Sequence, residues 1–410
     1  MYRIFLSLIC MLVVSSAMAQ GKVNAQKTNA QSITTPLSPI NYTEIQQQLD
    51  RASEDPWALK ALRRLRNPLG EDAMLFSKIK LNSALGFGYT RETGFLVNGV
   101  IAGEYKTDEQ NQQQTPSMLR VSAQVSVKGF FQLKAEGENY LHSDERILSY
   151  DISYGVLPIR FWGLGYDAAI KNSRSEYSRR AFAGSVRFLN RIVGDFYGGA
   201  SLDMRYNKAS SIDELARLYI SQHGMTQQNA FTTGLGLNLL FDHRDNIYAT
   251  NSGWFVSLLT EIRPKGLGDC GSTLWHVKAI ADYFTPIWQG GVLGVDLYAD
   301  LWSSATPWFM WPCIGGGSRM RGYYFGRYTD RKIATAQVEL RQNIYGPFGC
   351  AVWGGVGSVF DSHKNIDFSE LLPNYGLGLR VNLGKNSRLR IDYGFGHHSN
   401  GLVIGMNEAF

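Results

Sequence analysis

From about Lys80 to its last residue, the chain alternates apolar and polar side chains with a period of two, and that pattern limits the folds open to it. Sixteen candidate strands start near Lys80, Thr93, Ser117, Gly129, Asp144, Tyr177, Val193, Phe231, Gly253, Ser272, Gly291, Ile333, Phe348, Asn374, Ser387 and Asn400. The later ones are clearest: Leu293, Val295, Leu297, Ala299 and Leu301 alternate with Gly294, Asp296, Tyr298, Asp300 and Trp302. Likewise Tyr375, Leu377, Leu379 and Val381 stand against Gly376, Gly378, Arg380 and Asn382. A soluble sandwich with one wet face would also alternate. Length separates the two, because these runs reach ~10 residues, enough for a tilted strand to cross a bilayer, whereas soluble strands commonly have ~5 to 6. An even number of antiparallel strands, closed so that no edge is left in lipid, pairs every backbone group. The expected fold is therefore all-β, a sixteen-stranded antiparallel transmembrane β-barrel spanning residues 80–410.

Turn chemistry supports this reading. Tight turns are expected at Gln289-Gly290-Gly291, Tyr345-Gly346-Pro347 and Gly384-Lys385-Asn386, and long connections at 207–229, 303–332 and 361–373. Short turns and long loops then alternate, except at Lys106–Pro116, which is long where a turn is due. Glycine makes up a tenth of the chain and aromatics 12%, while hydrophobicity is modest for a membrane protein. A barrel has this composition because only alternate residues meet lipid. No run of ~18 apolar residues is present to form a transmembrane helix.

The amino end reads differently. Tyr2 and Arg3 precede an apolar run from Ile4 to Val14, and Ala17-Met18-Ala19 follows, the plan of a secretory signal peptide spanning 1–19. Residues 20–79 read as a periplasmic linker with a short helical segment: Asn41 and Glu44 resemble a cap, and Ile45, Leu49 and Ala52 recur at helical spacing. Beyond Cys10 the cysteines are Cys270, Cys313 and Cys350, too few and too odd for a disulfide framework, though one bridge between them stays open. The net charge of +6 is spread along the chain, which argues against nucleic acid as a partner. Neither a metal site nor a cofactor motif is expected. His397-His398 reads as a polar turn, since neighbours on a strand face opposite ways.

The connection from Ser303 to Lys332 is long for a compact domain and contains Gly315-Gly316-Gly317-Ser318-Arg319-Met320-Arg321-Gly322-Tyr323. Its glycines, aromatics and arginines suit a hairpin packed in a polar cavity, with the donor fork of Arg321 on a carboxylate. Arg321-Gly322-Tyr323 resembles the sixth-loop signature of the BamA/TamA family of outer-membrane barrels, in which this loop folds back into the lumen. Asp242-His243-Arg244-Asp245-Asn246, with Gly253 downstream, resembles that family's Asp-x-Arg-Asp-Asn element and also reads as a capped polar turn. Val338-Glu339-Leu340-Arg341 and Gly357-Ser358-Val359-Phe360-Asp361 resemble the two strands after the loop, and the chain closes on Phe410 as barrels with a carboxy-terminal insertion signal do. These matches cover roughly Leu81 to Phe410 in the family's order.

The resemblance implies that Arg321 is held by acids on the two following strands. The first aligns with Glu339. The second aligns with Gly355, which is not acidic, so the expectation is that Arg321 pairs with Glu339 alone, helped by Asp296 or Asp300 across the lumen. It also implies a weak seam between the first and last strands, here about Leu81–Tyr89 and Gly401–Phe410, where Gly86, Gly88, Gly401 and Gly405 lower strand propensity. Residues 20–79 lack the pattern of the periplasmic POTRA domains of relatives. Three functional readings follow. One is insertion, assembly or translocation of proteins at the outer membrane, with membrane lipid, periplasmic or lipoprotein accessory proteins and client outer-membrane proteins as partners. The second is a porin-like channel or structural barrel that keeps the fold. The third, an enzyme, finds no catalytic motif in the chain.

Overall fold

The structure, a computed structural model, describes residues 74–75, 79–107, 114–142, 144–247, 249–361, 368–384 and 387–410. The signal-peptide, linker and helix readings of residues 1–73 lie outside these residues, as do Lys385 and Asn386 of one expected turn. Sixteen long strands follow one another: β1 Ile79–Thr90, β2 Gly94–Tyr105, β3 Ser117–Ser126, β4 Phe131–Leu141, β5 Arg146–Phe161, β6 Ser175–Val193, β7 Phe196–Ser210, β8 Asn229–Asp242, β9 Gly253–Arg263, β10 Leu274–Trp288, β11 Gly291–Trp302, β12 Lys332–Tyr345, β13 Phe348–Phe360, β14 Leu372–Gly384, β15 Ser387–Gly396 and β16 Ser399–Met406. Each pairs antiparallel with its chain neighbours, and β16 returns to β1. The result is a closed sixteen-stranded barrel, as the alternation predicts.

The alternation sorts the two faces. Along β14 the outward Tyr375, Leu377 and Leu379 stay exposed, while Asn374 and Arg380 are buried in the lumen. Apolar side chains therefore clothe the outside and polar ones fill the inside, the arrangement required where lipid surrounds the wall. Two-residue turns after β6, β10 and β12 lie at one end. Gly290 and Gly346 adopt left-handed backbone (φ +73° and +53°) in the turns after β10 and β12, which glycine does without steric cost. β2 ends and β3 begins at this turn end, and the 243–252 connection between β8 and β9 is a long one there.

Loops occupy the other end, and two carry helices that the sequence pattern did not reveal, α1 (Gly165–Lys171) and α2 (Glu214–Gln222). The Asp213 carboxylate caps α2 by accepting from the Ala216 amide at 2.8 Å. Ala216 and Ile220 of α2 pack into an aromatic cap with Phe161, Tyr177, Trp302, Trp308, Phe309 and Trp311. The ring of Trp308 lies 5.0 Å from Tyr177 and 5.6 Å from Phe161. This cluster sits at the loop end of the barrel. Cys270, Cys313 and Cys350 are all free thiols.

Candidate functional site

The loop between β11 and β12 turns back into the lumen. A two-residue pairing of Cys313–Ile314 with Tyr328–Thr329 forms its neck. Ile314, Met320, Tyr323 and Tyr328 pack there with Ile333, Val359 and Leu372 from the wall. Burial raises the thiol of Cys313 to about 12 and raises the phenol of Tyr323. Both groups are therefore neutral.

The tip is threaded close to the wall. Gly322 has φ +101°, and a Cβ there would lie 2.4 Å from the carbonyl of Gly394 on β15. A Cβ on Gly394 would in turn lie 2.1 Å from the carbonyl oxygen of Arg321. Only two glycines permit this approach of backbone to backbone. Hydrogen bonds fix it: Asn374 Nδ2 donates to the Arg321 carbonyl at 2.6 Å, and Ser399 Oγ donates to the Gly322 carbonyl at 2.7 Å. Tyr323 gives its hydroxyl proton to the Pro373 carbonyl at 2.6 Å and accepts from the His397 amide at 2.7 Å.

Arg321 is fully buried and forks between two carboxylates. Its Nη2 donates to Glu339 on β12, and its Nη1 donates to Asp392 Oδ2 on β15 at 2.7 Å. The guanidinium also lies 3.6 Å from the ring centre of Trp353 on β13, a cation–π contact strengthened by the burial of both side chains. Arg321 thus has two acidic partners. The second acid is Asp392, not an aligned residue on β13, because Gly355 sits where a Cβ would meet the Ala336 carbonyl at 2.7 Å.

Asp296 and Asp300 do not reach Arg321. Asp296 is engaged by Arg319, whose Nε donates at 2.9 Å and Nη2 at 2.6 Å, and by Gln337 Nε2 at 3.0 Å. Asp300 faces His276 Nε2 at 3.0 Å and the hydroxyl of Tyr298 at 3.1 Å. The tip therefore carries two arginine contacts, Arg319 on β11 and Arg321 on β12 and β15.

Around Arg321 the charges form a connected network. Glu339 also meets Arg341 Nε at 2.7 Å, and Asp392 meets Arg380 at 2.5 Å and Arg390 at 3.0 Å. Glu408, beyond the end of β16, accepts from Arg380 Nε at 2.8 Å and from Arg388. Burial alone would raise the Glu408 carboxyl, but Arg341, Arg380 and Arg388 hold it well below the usual carboxylate range. Five arginines and three acids, their side chains all nearly inaccessible, make up this network.

The element at 242–246 lies at the turn end between β8 and β9. Arg244 donates to both oxygens of Asp242 at 2.8 and 2.7 Å, and Asp245 Oδ1 accepts from the Asn251 amide at 2.9 Å. Asn246 Oδ1 accepts from the Ala249 amide at 3.1 Å. Gly253 has φ +113°, and a Cβ there would lie 1.9 Å from the His243 carbonyl. This compact turn reaches the network, since Arg341 Nη1 donates to the Thr250 carbonyl at 3.3 Å.

The seam has a different character. Among the described residues, the ladder between β16 and β1 consists of Ile404 opposite Tyr89. One antiparallel step from that pair sets Gly405 beside Gly88, not Gly86. A Cβ on Gly88 would come 3.1 Å from the Ile404 carbonyl, whereas one on Gly86 would meet nothing nearer than 3.8 Å. Gly401 packs on the loop tip, where a Cβ would lie 3.7 Å from Gly322 Cα. Phe410 is not part of the seam. The chain leaves the wall after Met406, and the Phe410 ring stacks on lumenal Phe284 at 6.0 Å.

The loop bridges this seam. Arg91, in the turn between β1 and β2, lies 3.8 Å over the ring of Tyr324 and donates to the Asn400 carbonyl of β16. The Phe325 amide donates to Glu92 at 3.1 Å, and Arg327 Nη1 donates to the His398 carbonyl at 2.8 Å. His397 and His398 occupy the turn itself, and there their rings lie 4.0 Å apart instead of on opposite faces.

Sequence reasoning missed Asp392, Trp353, Arg319 and Glu408. For Asp392 a signal existed: it shares the lumenal parity of β15 with Arg388 and Arg390, and an acid among inward arginines has a partner to satisfy.

Fold and site together define a closed sixteen-stranded barrel whose largest loop is folded into the lumen and tied there through an arginine. The Omp85 superfamily domain matches residues 130–406, and the chain belongs to that superfamily. Among solved structures it resembles BamA from Haemophilus ducreyi lacking POTRA domains 1-3, with 12% identity, a TM-score of 0.56, and coverage of 80% of this chain and 70% of that one. It also resembles CdiB from Escherichia coli, with 11% identity, a TM-score of 0.53, and coverage of 82% of this chain and 64% of that one. The likeness is one of fold, and the chain spans less than two thirds of the CdiB structure. No curated protein matches the chain. Barrels of this superfamily belong to the bacterial outer membrane.

Proposed function

We propose that this barrel takes part in the insertion, assembly or translocation of proteins at the bacterial outer membrane, acting through the seam between β1 and β16. The observation that carries the reading is the single pair, Ile404 opposite Tyr89, that joins the two strands. Backbone groups released along such an edge accept any strand of matching length, so one machine serves many sequences, with side chains adding only secondary selection. The sixth loop spans the seam through Arg91, Glu92, Ser399 and His398 and is anchored by Arg321 to β12 and β15 on the β16 side of it. On this reading it limits how far the seam opens without itself forming the wall. Accessory periplasmic or lipoprotein partners would deliver client outer-membrane proteins, and membrane lipid surrounds the barrel.

A porin-like channel fits less well. The lumen holds the loop tip and a dense ionic network of buried side chains. The test is a disulfide between Tyr89→Cys and Ile404→Cys, scored in cells for assembly of other outer-membrane proteins. The proposal expects assembly to fail under oxidising conditions and to recover with reductant. Unchanged assembly with a fully formed disulfide would contradict it and favour the channel or structural reading.

A further inference from the structure

β16 stops early, and the parity of one residue explains why. It pairs with β15 as far as Met406 opposite Leu389. Asn407, at φ +63°, then turns the chain inward, with its amide donating to the Arg388 carbonyl at 2.6 Å. Along β16, Ser399, Gly401 and Val403 are buried on the lumenal side, while Asn400 and Met406 are exposed on the outer side. Continued as a strand, Glu408 would share the outer face with Met406. An unpaired carboxylate there would face lipid, an unfavourable environment for any charge. In the lumen it lies between guanidinium groups instead, with Arg380 Nε at 2.8 Å, Arg341 Nε at 3.6 Å and Arg388 bonded to its other oxygen.

This choice shortens the seam. From Ile404 opposite Tyr89, the antiparallel register would set Asn407 opposite Gly86, Glu408 opposite Leu85 and Ala409 opposite Ala84. We propose that Glu408 is a positioning residue that sets the length of the seam: its arginine cradle keeps residues 407–410 in the lumen and so prevents β16 from zipping along β1. Phe410 supports the same placement by stacking on Phe284, and the Arg341 Nη2 donates to its carbonyl at 2.9 Å. The proposal deepens the seam reading and rests on it, yet it concerns the resting geometry of the wall, which is measured without any client.

The experiment uses the full chain folded in detergent, with cysteines at Ala84 and Ala409 for crosslinking and, in a cysteine-free pair, amide exchange across Leu85–Phe87. Glu408→Val is expected to raise disulfide yield well above that of the parent and to slow exchange at Leu85–Phe87 by roughly tenfold as new strand pairing forms. Glu408→Asp, which keeps the charge, should behave as the parent. If Glu408→Val does not fold, Glu408→Gln carries the test, with a shift in the same direction. Equal crosslinking and exchange in the parent and in the folded neutral variant would overturn the proposal. Failure here leaves the locked-seam result for client assembly untouched, and the reverse also holds.

Discussion

The wall at β12–β13 and the wall at β16–β1 are built on the same period-two pattern, yet they differ in how they are held. The first pairs from Lys332 opposite Phe360 to Asn343 opposite Gly349, and its lumenal side chains grip the loop arginine. The second is joined at Ile404 and Tyr89, with the loop lying across its top. The lesson is that alternation decides that a strand enters a barrel, while register length and lumenal bonding decide how firmly each joint closes. A barrel with one weak joint and a loop tied to strands on one side of it can open at one place without losing its shape.

The comparison is broken most severely by removing the anchor. Arg321→Ala takes from buried Glu339 and Asp392 a partner they share, and a loss of about 3–5 kcal/mol is expected, read as a lower midpoint in heat-modifiability or denaturant titration. Glu339→Gln and Asp392→Asn should each destabilise the barrel. A neutral Asp392→Asn would show that Glu339 alone holds the arginine. Next in size is Gly394→Ala, whose methyl would meet the Arg321 carbonyl at 2.1 Å. Backbone must shift to admit it, so about 1–3 kcal/mol is expected, with protease sensitivity appearing in the loop at 303–331.

The smallest effect is a pH dependence confined to the loop. Burial, with Asp361 nearby, raises the Asp330 carboxyl to about 6. Because this lies above its ordinary value, the protonated form favours the folded loop. That contribution is complete below about pH 4 and is lost as the pH rises through about 6. Proteolysis of the loop should therefore quicken across that interval, and Asp330→Asn should flatten the profile. Exchange at the seam strands should not follow the same curve, since Asp330 sits at the base of the loop beside β12.

Much of this barrel was legible because lipid outside and ions inside impose opposite demands on alternate residues. Asp296, Arg380 and Arg390 face inward as their parity requires, and the strand count and order follow from the same rule. What parity does not reveal is which inward residues meet. Arg321 and Asp392 are brought together by closure of the sheet over β13 and β14, across 71 positions of chain. Asp296 looked available to Arg321, but Arg319, two residues earlier in the same tip, occupies it. The departure of residues 407–410 from the wall was also hidden, because Glu408 reads as one more polar residue until its parity is counted against the lipid face. Helices α1 and α2 are short, and tertiary packing of Ala169, Ala216 and Ile220 holds them more than any repeating stripe.

The most direct measurement is amide hydrogen exchange on the folded barrel, comparing β1 and β16 with β12 and β13. The account predicts that amides near Tyr89 and Ile404 exchange through local opening, orders of magnitude faster than those between Lys332 and Asn343, which should approach the protection of global unfolding. Uniform protection around the whole barrel would contradict it, because the seam would then be as firmly closed as the latched wall.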